Sequence, residues 1–249
     1  MIRPVLTVRK MFVRRLNLLL LLCLLLLLVG GNIILYRQAF TTPPAAEPTV
    51  LEVISRKAAA AVCSTYGLTI KESGPGYELC FTGIAEGERL FGEIEGYDLE
   101  VYACRGQFYV KNKEATAWQP AAAAELDALP VLLRDPHQLL ATMLTAGELQ
   151  AETGQKRTVD NVLCQTYVLE LDTPDAGLVT RFANEATLEK LKLYLWFAEE
   201  GGFLHRMAMA MDINVAGEAV QISRMYVFSP EGGGLPDGLP PAEGYTYPL

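Results

Sequence analysis

Four cysteines, Cys63, Cys80, Cys104 and Cys164, are the side chains in this sequence best suited to covalent chemistry. An even number of cysteines is typical of disulfide bonds in a domain that lies outside the reducing cytosol. Four cysteines allow three connectivities, and the spacing does not choose among them. We favour Cys63 with Cys80 and Cys104 with Cys164, because the first pair would close a short loop between a helix and a strand. Free buried thiols are the alternative interpretation.

The sequence contains no pattern typical of an enzyme or of a metal site. Gly-x-Ser-x-Gly, His-Glu-x-x-His, Gly-x-x-x-x-Gly-Lys and Cys-x-x-Cys are all absent. The two histidines, His137 and His205, lie far from every cysteine along the chain. We expect His137 to be a solvated residue in the first turn of a helix and His205 to be a structural residue on a strand. The pattern therefore predicts a protein that is not an enzyme and needs no metal or cofactor.

Three methionines, Met207, Met209 and Met211, alternate along a predicted strand and would point to one face of a sheet. Thioether sulfurs can bind copper, but methionine also fills irregular apolar space, and we favour packing. Trp118 and Trp196 are expected first as aromatics of a core or its rim, and second as the lining of a cavity.

A helix after Asp135 is the clearest element that would position such side chains. Asp135 suits an N-cap, Pro136 a first helical position and Gly147 a C-terminal stop. The apolar residues recur at spacings of three and four, so this helix is predicted to bury one face. Those residues are Leu139, Leu140, Met143 and Leu144.

Alternating hydrophobicity predicts strands on both sides of that helix, and a first helix that begins at Pro48 and ends before Gly67. The predicted strands are YELCFTGIAEGE, YDLEVYACRGQFYVKN, residues 148–157, residues 162–171, KLKLYLWFAEEGGFLHRMAMAMDI and residues 219–228. Arg105-Gly106 and Gly201-Gly202 are predicted hairpin turns, and a short helix is predicted near residues 175–187. This order predicts an α+β fold: a strongly curved antiparallel sheet with helices packed in its concave face, and between them an apolar cleft suited to an acyl chain.

The N-terminal part of the chain predicts a membrane anchor. Residues 16–36 carry no charge and, at about 1.5 Å per helical residue, span roughly 30 Å, the hydrocarbon thickness of a bilayer. A removable export signal has a shorter apolar core of about 7 to 15 residues. Lipidation of Cys23 is not expected, since leucines rather than small residues precede it. Five basic residues and no acidic ones precede the apolar run, so residues 1–15 are predicted to be cytoplasmic and the C-terminal part extracytoplasmic.

The rest of the chain is predicted to comprise a spacer, a domain and a tail. Residues 37–48 resemble a stiff spacer, residues 49–230 a single domain, and residues 231–249 a Gly- and Pro-rich tail that lies over the surface or hangs free. All 29 acidic residues follow Arg37, as do 15 of the 21 basic ones, so residues 38–249 carry 15 minus 29, or −14. An acidic domain of this kind repels nucleic acid and anionic lipid headgroups, and we expect neither as a partner.

Several stretches resemble the bacterial LolA-like and LppX-like superfamily. GQFYVKNKEATAWQP is similar to a Tyr-Val-Lys, acid, then Trp stretch of that family, and LLRDPHQLLATML to its Asp-Pro followed by a leucine-rich helix. TVDNVLCQTYVLELD and LKLYLWFAEEGGFLHRMAMAMDI resemble its later strands, and the whole resemblance covers roughly residues 52–244. It implies a half-barrel whose concave apolar face, capped by helices, binds the lipid part of lipoproteins or glycolipids. Two departures are the predicted membrane helix, where many relatives have a lipidated cysteine, and the four outer cysteines.

These observations predict a single-pass protein of the cell membrane whose extracytoplasmic module binds a lipid or a lipidated protein. A tethered protein cannot diffuse between membranes, so a shuttle is not expected. The candidates for lining the ligand cavity are Trp118, Leu139, Leu140, Met143, Leu144, Trp196, Met207 and Met209. The alternative is an envelope interaction or sensor protein with a solid core and a protein partner.

Overall fold

An open antiparallel sheet of eleven strands forms most of the described structure. The computed structural model describes residues 47–62, 65–124, 126, 128–145, 149–172, 186–230 and 232–240. It divides the chain into two units, Met1–Pro48 and Thr49–Leu249, and the fold below is that of the second unit. The predicted anchor at residues 16–36 lies outside the described residues. Within them, no helix is both long and apolar enough to cross a bilayer.

The strands follow one another in two meanders that meet at the first and last strands. In chain order they are β1 (Thr65–Gly74), β2 (Tyr77–Glu86), β3 (Arg89–Ile94), β4 (Leu99–Cys104), β5 (Gln107–Asn112), β6 (Gln119–Pro120), β7 (Leu149–Val159), β8 (Val162–Asp172), β9 (Ala186–Ala198), β10 (Leu204–Val215) and β11 (Glu218–Ser229). Their order in the sheet is β6-β5-β4-β3-β2-β1-β11-β10-β9-β8-β7, so β6 and β7 are the edges. The prediction of a large antiparallel sheet is confirmed.

Short helices cover one face of this sheet. They are α1 (Val50–Ala60), a 3₁₀ turn at Ala121–Ala124, α2 (Leu129–Leu132) and α3 (Pro136–Thr145). The buried apolar side chains of the helices belong to the same core cluster as alternate residues of the strands. We call the sheet face that carries these residues the inner face and the opposite one the outer face.

Capping residues fix where the two longer helices begin. Thr49 and Glu52 form a capping box at α1, in which the Glu52 carboxylate accepts a hydrogen bond from the Thr49 N–H at 2.9 Å. At α3 the Asp135 carboxylate accepts hydrogen bonds from the backbone N–H of His137 at 2.8 Å and of Gln138 at 3.3 Å. The predicted start of α3 is therefore correct, whereas the first helix begins one residue after its Thr49 cap rather than at Pro48.

The sequence predicted the two hairpin turns correctly but missed the strands β1 and β3. Arg105 and Gly106 have φ of 49° and 78° and join β4 to β5, and Gly201 and Gly202, with φ of 75° and 67°, join β9 to β10. Gly67, however, does not end the first helix but lies within β1, and β3 was not predicted. The short helix predicted near residues 175–187 falls mostly outside the described residues, and Thr187 lies in β9.

A pair of glycines allows β2 and β3 to approach closely on the inner face. Gly83 and Gly92 lie directly opposite each other. A Cβ on Gly83 would lie 2.3 Å from the carbonyl oxygen of Phe91, and one on Gly92 would lie 2.3 Å from that of Thr82. The Phe81 ring covers both positions, with Cζ 2.7 Å and 2.6 Å from the two hypothetical Cβ atoms. Glycine inside a strand marks tight bends of this kind, so the sheet can bend here.

Tail residues 232–240 follow β11, and Gly232 lies against the backbone of β1. A Cβ on Gly232 would lie 2.7 Å from the carbonyl carbon of Tyr66 and 2.8 Å from the nitrogen of Gly67. Only a residue without a side chain fits this contact.

The predicted disulfide bonds are wrong. Cys80, Cys104 and Cys164 are free thiols, and Cys63 lies outside the described residues. Cys104 is on β4 and Cys164 on β8, and six strands lie between them in the sheet. Neighbouring strands are about 4.8 Å apart, whereas a disulfide needs Cα atoms within about 4.4–6.8 Å, so the sheet order separates this pair.

Candidate functional site

A cavity of about 540 Å³ lies between the inner face of β1–β5 and the segment that joins α2 to α3. It is lined by Tyr66, Leu68, Ala85, Gly87, Glu88, Arg89, Leu90, Ala103, Arg105, Gly106, Phe108, Pro130, Leu133, Arg134, Asp135, Pro136 and Gln138. The strand residues form its floor and the helical segment forms its roof. Ligand pockets in proteins commonly have volumes of about 300–1,000 Å³, so this cavity can hold a small molecule.

One row of directly paired residues makes the floor. Tyr66, Ala85, Leu90, Ala103 and Phe108 are successive partners across β1 to β5. All five side chains point inward, and large residues alternate with the two alanines. Since an alanine fills less of the layer than its neighbours do, the alternation leaves space between sheet and roof.

The adjacent row of inward residues, two positions further along each strand, limits the cavity on one side. It consists of Leu68, Gly83, Gly92, Val101 and Val110, which are again direct partners. The two glycines contribute no side chain, and the Phe81 ring occupies the space above them. Phe81 and Val101 are fully buried, so the floor ends in packed core.

A buried polar network helps to hold the roof over the sheet. Arg224 on β11 forms an ion pair with Glu72 on β1, and its Nη1 donates a hydrogen bond to the carbonyl oxygen of Val131 in α2 at 3.3 Å. The Tyr77 hydroxyl donates to Glu72 Oε1 at 3.0 Å. The Tyr226 hydroxyl accepts a hydrogen bond from Arg224 Nη1 at 3.4 Å. Burial raises the pKa of Tyr226, and the positive charge of Arg224 opposes this rise. These contacts tie α2 to two strands that are adjacent in the sheet.

The rim of the cavity is charged. Arg89, Arg105 and Arg134 line it together with Glu88 and Asp135. Arg105 Nε is 3.6 Å from Glu88 Oε2, and the two side chains are 70% and 69% exposed. Among the described residues that line it, none is a serine, threonine, cysteine, lysine or histidine. This composition provides charge at the entrance and apolar surface inside.

A second, smaller cavity of about 400 Å³ lies at the other end of β1 and β11. Its lining comes from the turns that join β1 to β2 and β10 to β11 and from the strand residues beside them, and consists of Pro75, Tyr77, Val215, Ala216, Glu218, Val220 and Ile222. Along β1 and β11, the Glu72–Arg224 pair lies between the two cavities.

Most of the predicted cavity residues lie in the core rather than around the larger cavity. Leu139, Leu140, Met143, Met207, Met209 and Met211 are buried members of one apolar cluster, and Leu144 packs against it. None of them lines the 540 Å³ cavity. The interpretation of the methionines as packing residues agrees with this position, and within the described residues no group of three or more His, Cys, Asp and Glu side chains could hold a metal ion.

Trp118 and Trp196 lie on the outer face, which corrects their assignment to the cavity. Trp118 packs with the outward rings of Phe91 and Tyr102, at centroid distances of 6.3 Å and 6.2 Å. Trp196 alternates with the inward Leu195 and Phe197 and stacks on Tyr194 at 6.1 Å. Because successive side chains of a strand point to opposite faces, neither tryptophan can reach the cavity.

The histidines differ in their surroundings. His137 is not solvated as predicted but lies between the rings of Tyr66 and Phe228, at centroid distances of 5.3 Å and 5.2 Å. Burial lowers its pKa, although Asp135 opposes the shift. His205 is buried at an irregularity in the pairing of β9 with β10, and its Nε2 lies 3.5 Å from Asp160 Oδ2. Neither histidine lines the cavity.

Comparison with known proteins gives distant structural matches. No family model and no curated protein sequence matches this chain. The lipoprotein LppX of Mycobacterium tuberculosis is similar in structure with a TM-score of 0.48 and 13% identity over 77% of this chain and 99% of LppX. LprF from Mycobacterium bovis follows with a TM-score of 0.44 and 11% identity over 78% of this chain and 96% of LprF.

A third similar structure is a domain from Vibrio parahaemolyticus that is named for outer membrane lipoprotein sorting. Its TM-score is 0.28 and its identity 6%, over 75% of this chain and 94% of that domain. All three of these matches have a TM-score below 0.5 and a sequence identity below 25%.

Proposed function

We propose that this chain is a membrane-tethered, extracytoplasmic binding module that holds an acyl chain, free or as part of a lipidated molecule, in the 540 Å³ cavity. The observation that carries the proposal is the row of Tyr66, Ala85, Leu90, Ala103 and Phe108, which leaves an apolar space beneath the α2–α3 segment. An acyl chain needs such a space and little else.

The apolar floor is sufficient to retain a chain of moderate length. Each CH₂ group that leaves water contributes about 0.8 kcal/mol, so burial of ten such groups provides about 8 kcal/mol before the cost of ordering the ligand. The described lining brings no nucleophile together with a histidine base for a reaction on the ligand. We therefore assign binding rather than catalysis to this site, with no cofactor.

Residues 16–36 provide the tether in this proposal. Their uncharged length and the basic residues that precede them support a single span with the N-terminus in the cytoplasm. The domain would then work in the cell envelope close to the outer surface of its own membrane. A ligand would be received there from the bilayer or from a neighbouring protein, rather than carried across the envelope.

The rival function is an interaction or sensor module that meets a protein partner. The aromatic side chains on the outer face, among them Trp118, Tyr194 and Trp196, supply partly exposed surface for it. The cavity favours ligand binding, because a module that acts only through its outer face has no need of empty space beneath its roof.

Lipid extraction followed by mass spectrometry tests the proposal. The full chain is purified from membranes in mild detergent, and the extract is compared with that of Ala103→Phe, which fills the floor. Ala210→Phe, on the outer side of β10, is the matched control. We expect about one acyl-bearing molecule per chain in the wild type and in Ala210→Phe, and a loss in Ala103→Phe. Equal amounts in all three, or none in the wild type, would refute the proposal.

A further inference from the structure

We infer that the Phe81 ring forms the closed end of the cavity and sets the length of the acyl chain that the cavity accepts. The inference rests on the proposed function and adds a size limit for the ligand, together with the residue that imposes this limit. Phe81 lies on the inner face of β2, and its side chain is fully buried.

The cavity has an exposed end and a buried end along the direction of the strands. At one end it is lined by exposed residues of the turns that join β2 to β3 and β4 to β5, among them Gly87 and Gly106. Inward residues of a strand recur every second position, so Ala85, Gly83 and Phe81 follow in that order away from the turn. A chain that enters at the turns and extends along β2 therefore meets Phe81 beyond the row of lining residues.

The Phe81 ring lies over a glycine pair and points toward the cavity. Its Cζ atom, the tip of the ring, is 2.7 Å and 2.6 Å from the positions that Cβ atoms of Gly83 and Gly92 would occupy. Gly83 is the direct partner of Leu68, which lines the cavity. Directly paired residues have Cβ atoms about 4.5–5.5 Å apart, so the tip of the ring is next to a lining side chain.

Without the ring, the floor would continue by one row. Gly83 and Gly92 contribute backbone only, and the space above them is filled by Phe81. One row corresponds to about 7 Å along a strand, which a zigzag hydrocarbon chain with bonds of about 1.5 Å spans with roughly five carbons. Ile70 and Ile94, the direct partners of Phe81, are buried and close the next row.

Phe81 also has a packing role, which a test must separate from the role as an end stop. An aromatic ring that covers a glycine in a strand stabilises the sheet. Loss of this packing lowers the melting temperature of the domain but gives no preference for longer ligands. A change in the length of the bound chain is therefore the readout that belongs to the end stop alone.

A competition among acyl chains of different lengths tests the inference. The full chain in detergent is incubated with an equimolar mixture of straight-chain fatty acids of about 8 to 22 carbons and re-isolated by gel filtration, and the bound acids are quantified by mass spectrometry. Each acid partitions into the micelles equally for all variants, so differences between variants report the cavity. The variants are Phe81→Ala, Phe81→Leu and, as the matched control, Phe197→Leu. Phe197 is fully buried on β9 and is not among the described residues that line the cavity.

The length profile should shift only in the Phe81 variants. In the wild type, the bound amount should fall beyond a limiting chain length. Phe81→Ala should raise this limit by about four carbons and enrich the acid four carbons above the wild-type limit at least about tenfold, because each CH₂ group that gains apolar surroundings contributes a factor of about four. Phe81→Leu should shift the limit less in the same direction. Phe197→Leu should lower the melting temperature but keep the wild-type limit.

The possible results separate the inference from the proposed function. A wild type without a limiting length, an unchanged limit in the Phe81 variants, or an equal shift in Phe197→Leu would overturn the inference and leave the proposed function intact. If Phe81→Ala does not fold, Phe81→Leu decides, since it keeps a branched apolar side chain but lacks the tip of the ring. Binding of no fatty acid by any of these proteins, the wild type included, would overturn the proposed function as well.

Discussion

Glu72 and Arg224 lie directly opposite each other on β1 and β11, and their side chains form an ion pair that is buried on the inner face of the sheet. The pair joins residues that are 152 positions apart in the chain. The hydrogen bond from Arg224 to the Val131 carbonyl oxygen also holds α2, which is part of the roof of the cavity. The stability of the domain and the shape of the cavity thus depend on the same contact.

Removal of one partner of this pair should be costly. Arg224→Met leaves the Glu72 carboxylate buried and uncompensated, so we expect a loss of about 3–5 kcal/mol in the free energy of unfolding. Glu72→Leu combined with Arg224→Met removes both charges and should recover a large part of that loss. Urea denaturation of the full chain in detergent measures both. Lys113→Met, which breaks the exposed pair with Glu93, is the control and should cost about 1 kcal/mol or less.

Gly92→Ala should destabilise the domain by about 1–3 kcal/mol, because the new methyl group would meet the Thr82 carbonyl oxygen and the Phe81 ring. Gly234→Ala is the matched control, since a Cβ there would have nothing within 4 Å. Thermal unfolding followed by circular dichroism compares the two. Equal melting temperatures would show that the close approach of β2 and β3 is not required for the fold.

His137 should make stability depend on pH. Burial lowers its pKa in the folded chain, so the unfolded chain binds the proton more readily. Its contribution is therefore present above the ordinary pKa of 6.5 and is progressively lost as the pH falls below that value. Between pH 7.5 and pH 5.5, the wild type should lose more stability than His137→Phe, whose ring suits the space between Tyr66 and Phe228. Identical pH profiles would contradict this account.

The cysteine thiols should resist alkylation for two different reasons. Burial, and then the Glu95 carboxylate, raises the pKa of Cys80, so at pH 8 iodoacetamide should modify it several-fold more slowly than an unperturbed thiol. Glu95→Gln should speed the reaction. Cys104 and Cys164 are buried and should react only after unfolding. Peptide mapping without reductant should show no bond between those two residues, and finding one would refute the strand order that separates them.

Elements that depend on neighbouring residues were predictable from the sequence. The start of α3 follows from Asp135 and Pro136, and the hairpin at Gly201-Gly202 from two successive glycines. The alternation of Tyr66, Leu68 and Ile70 is a local signal for β1, but glycine is also the usual residue after a helix, and Gly67 favoured that interpretation.

The larger cavity could not be predicted because it depends on strand register. Ala85 and Ala103 flank Leu90 only when β2, β3 and β4 pair as they do. The outward position of Trp196, in contrast, was present in the sequence: it belongs to the polar set that alternates with Leu195 and Phe197. The leucines of α3 were correctly expected to be buried, but they fill the core beside the cavity instead of lining it.

Anomalous X-ray scattering from a brominated ligand tests the central claim most directly. Crystals of the full chain with a hexadecanoic acid that carries bromine at the chain end would locate that end in the protein. The account predicts a single bromine peak over the floor formed by Ala85, Leu90 and Ala103, beneath the α2–α3 segment. A peak on the outer face, or none in this cavity at saturating ligand, would contradict it.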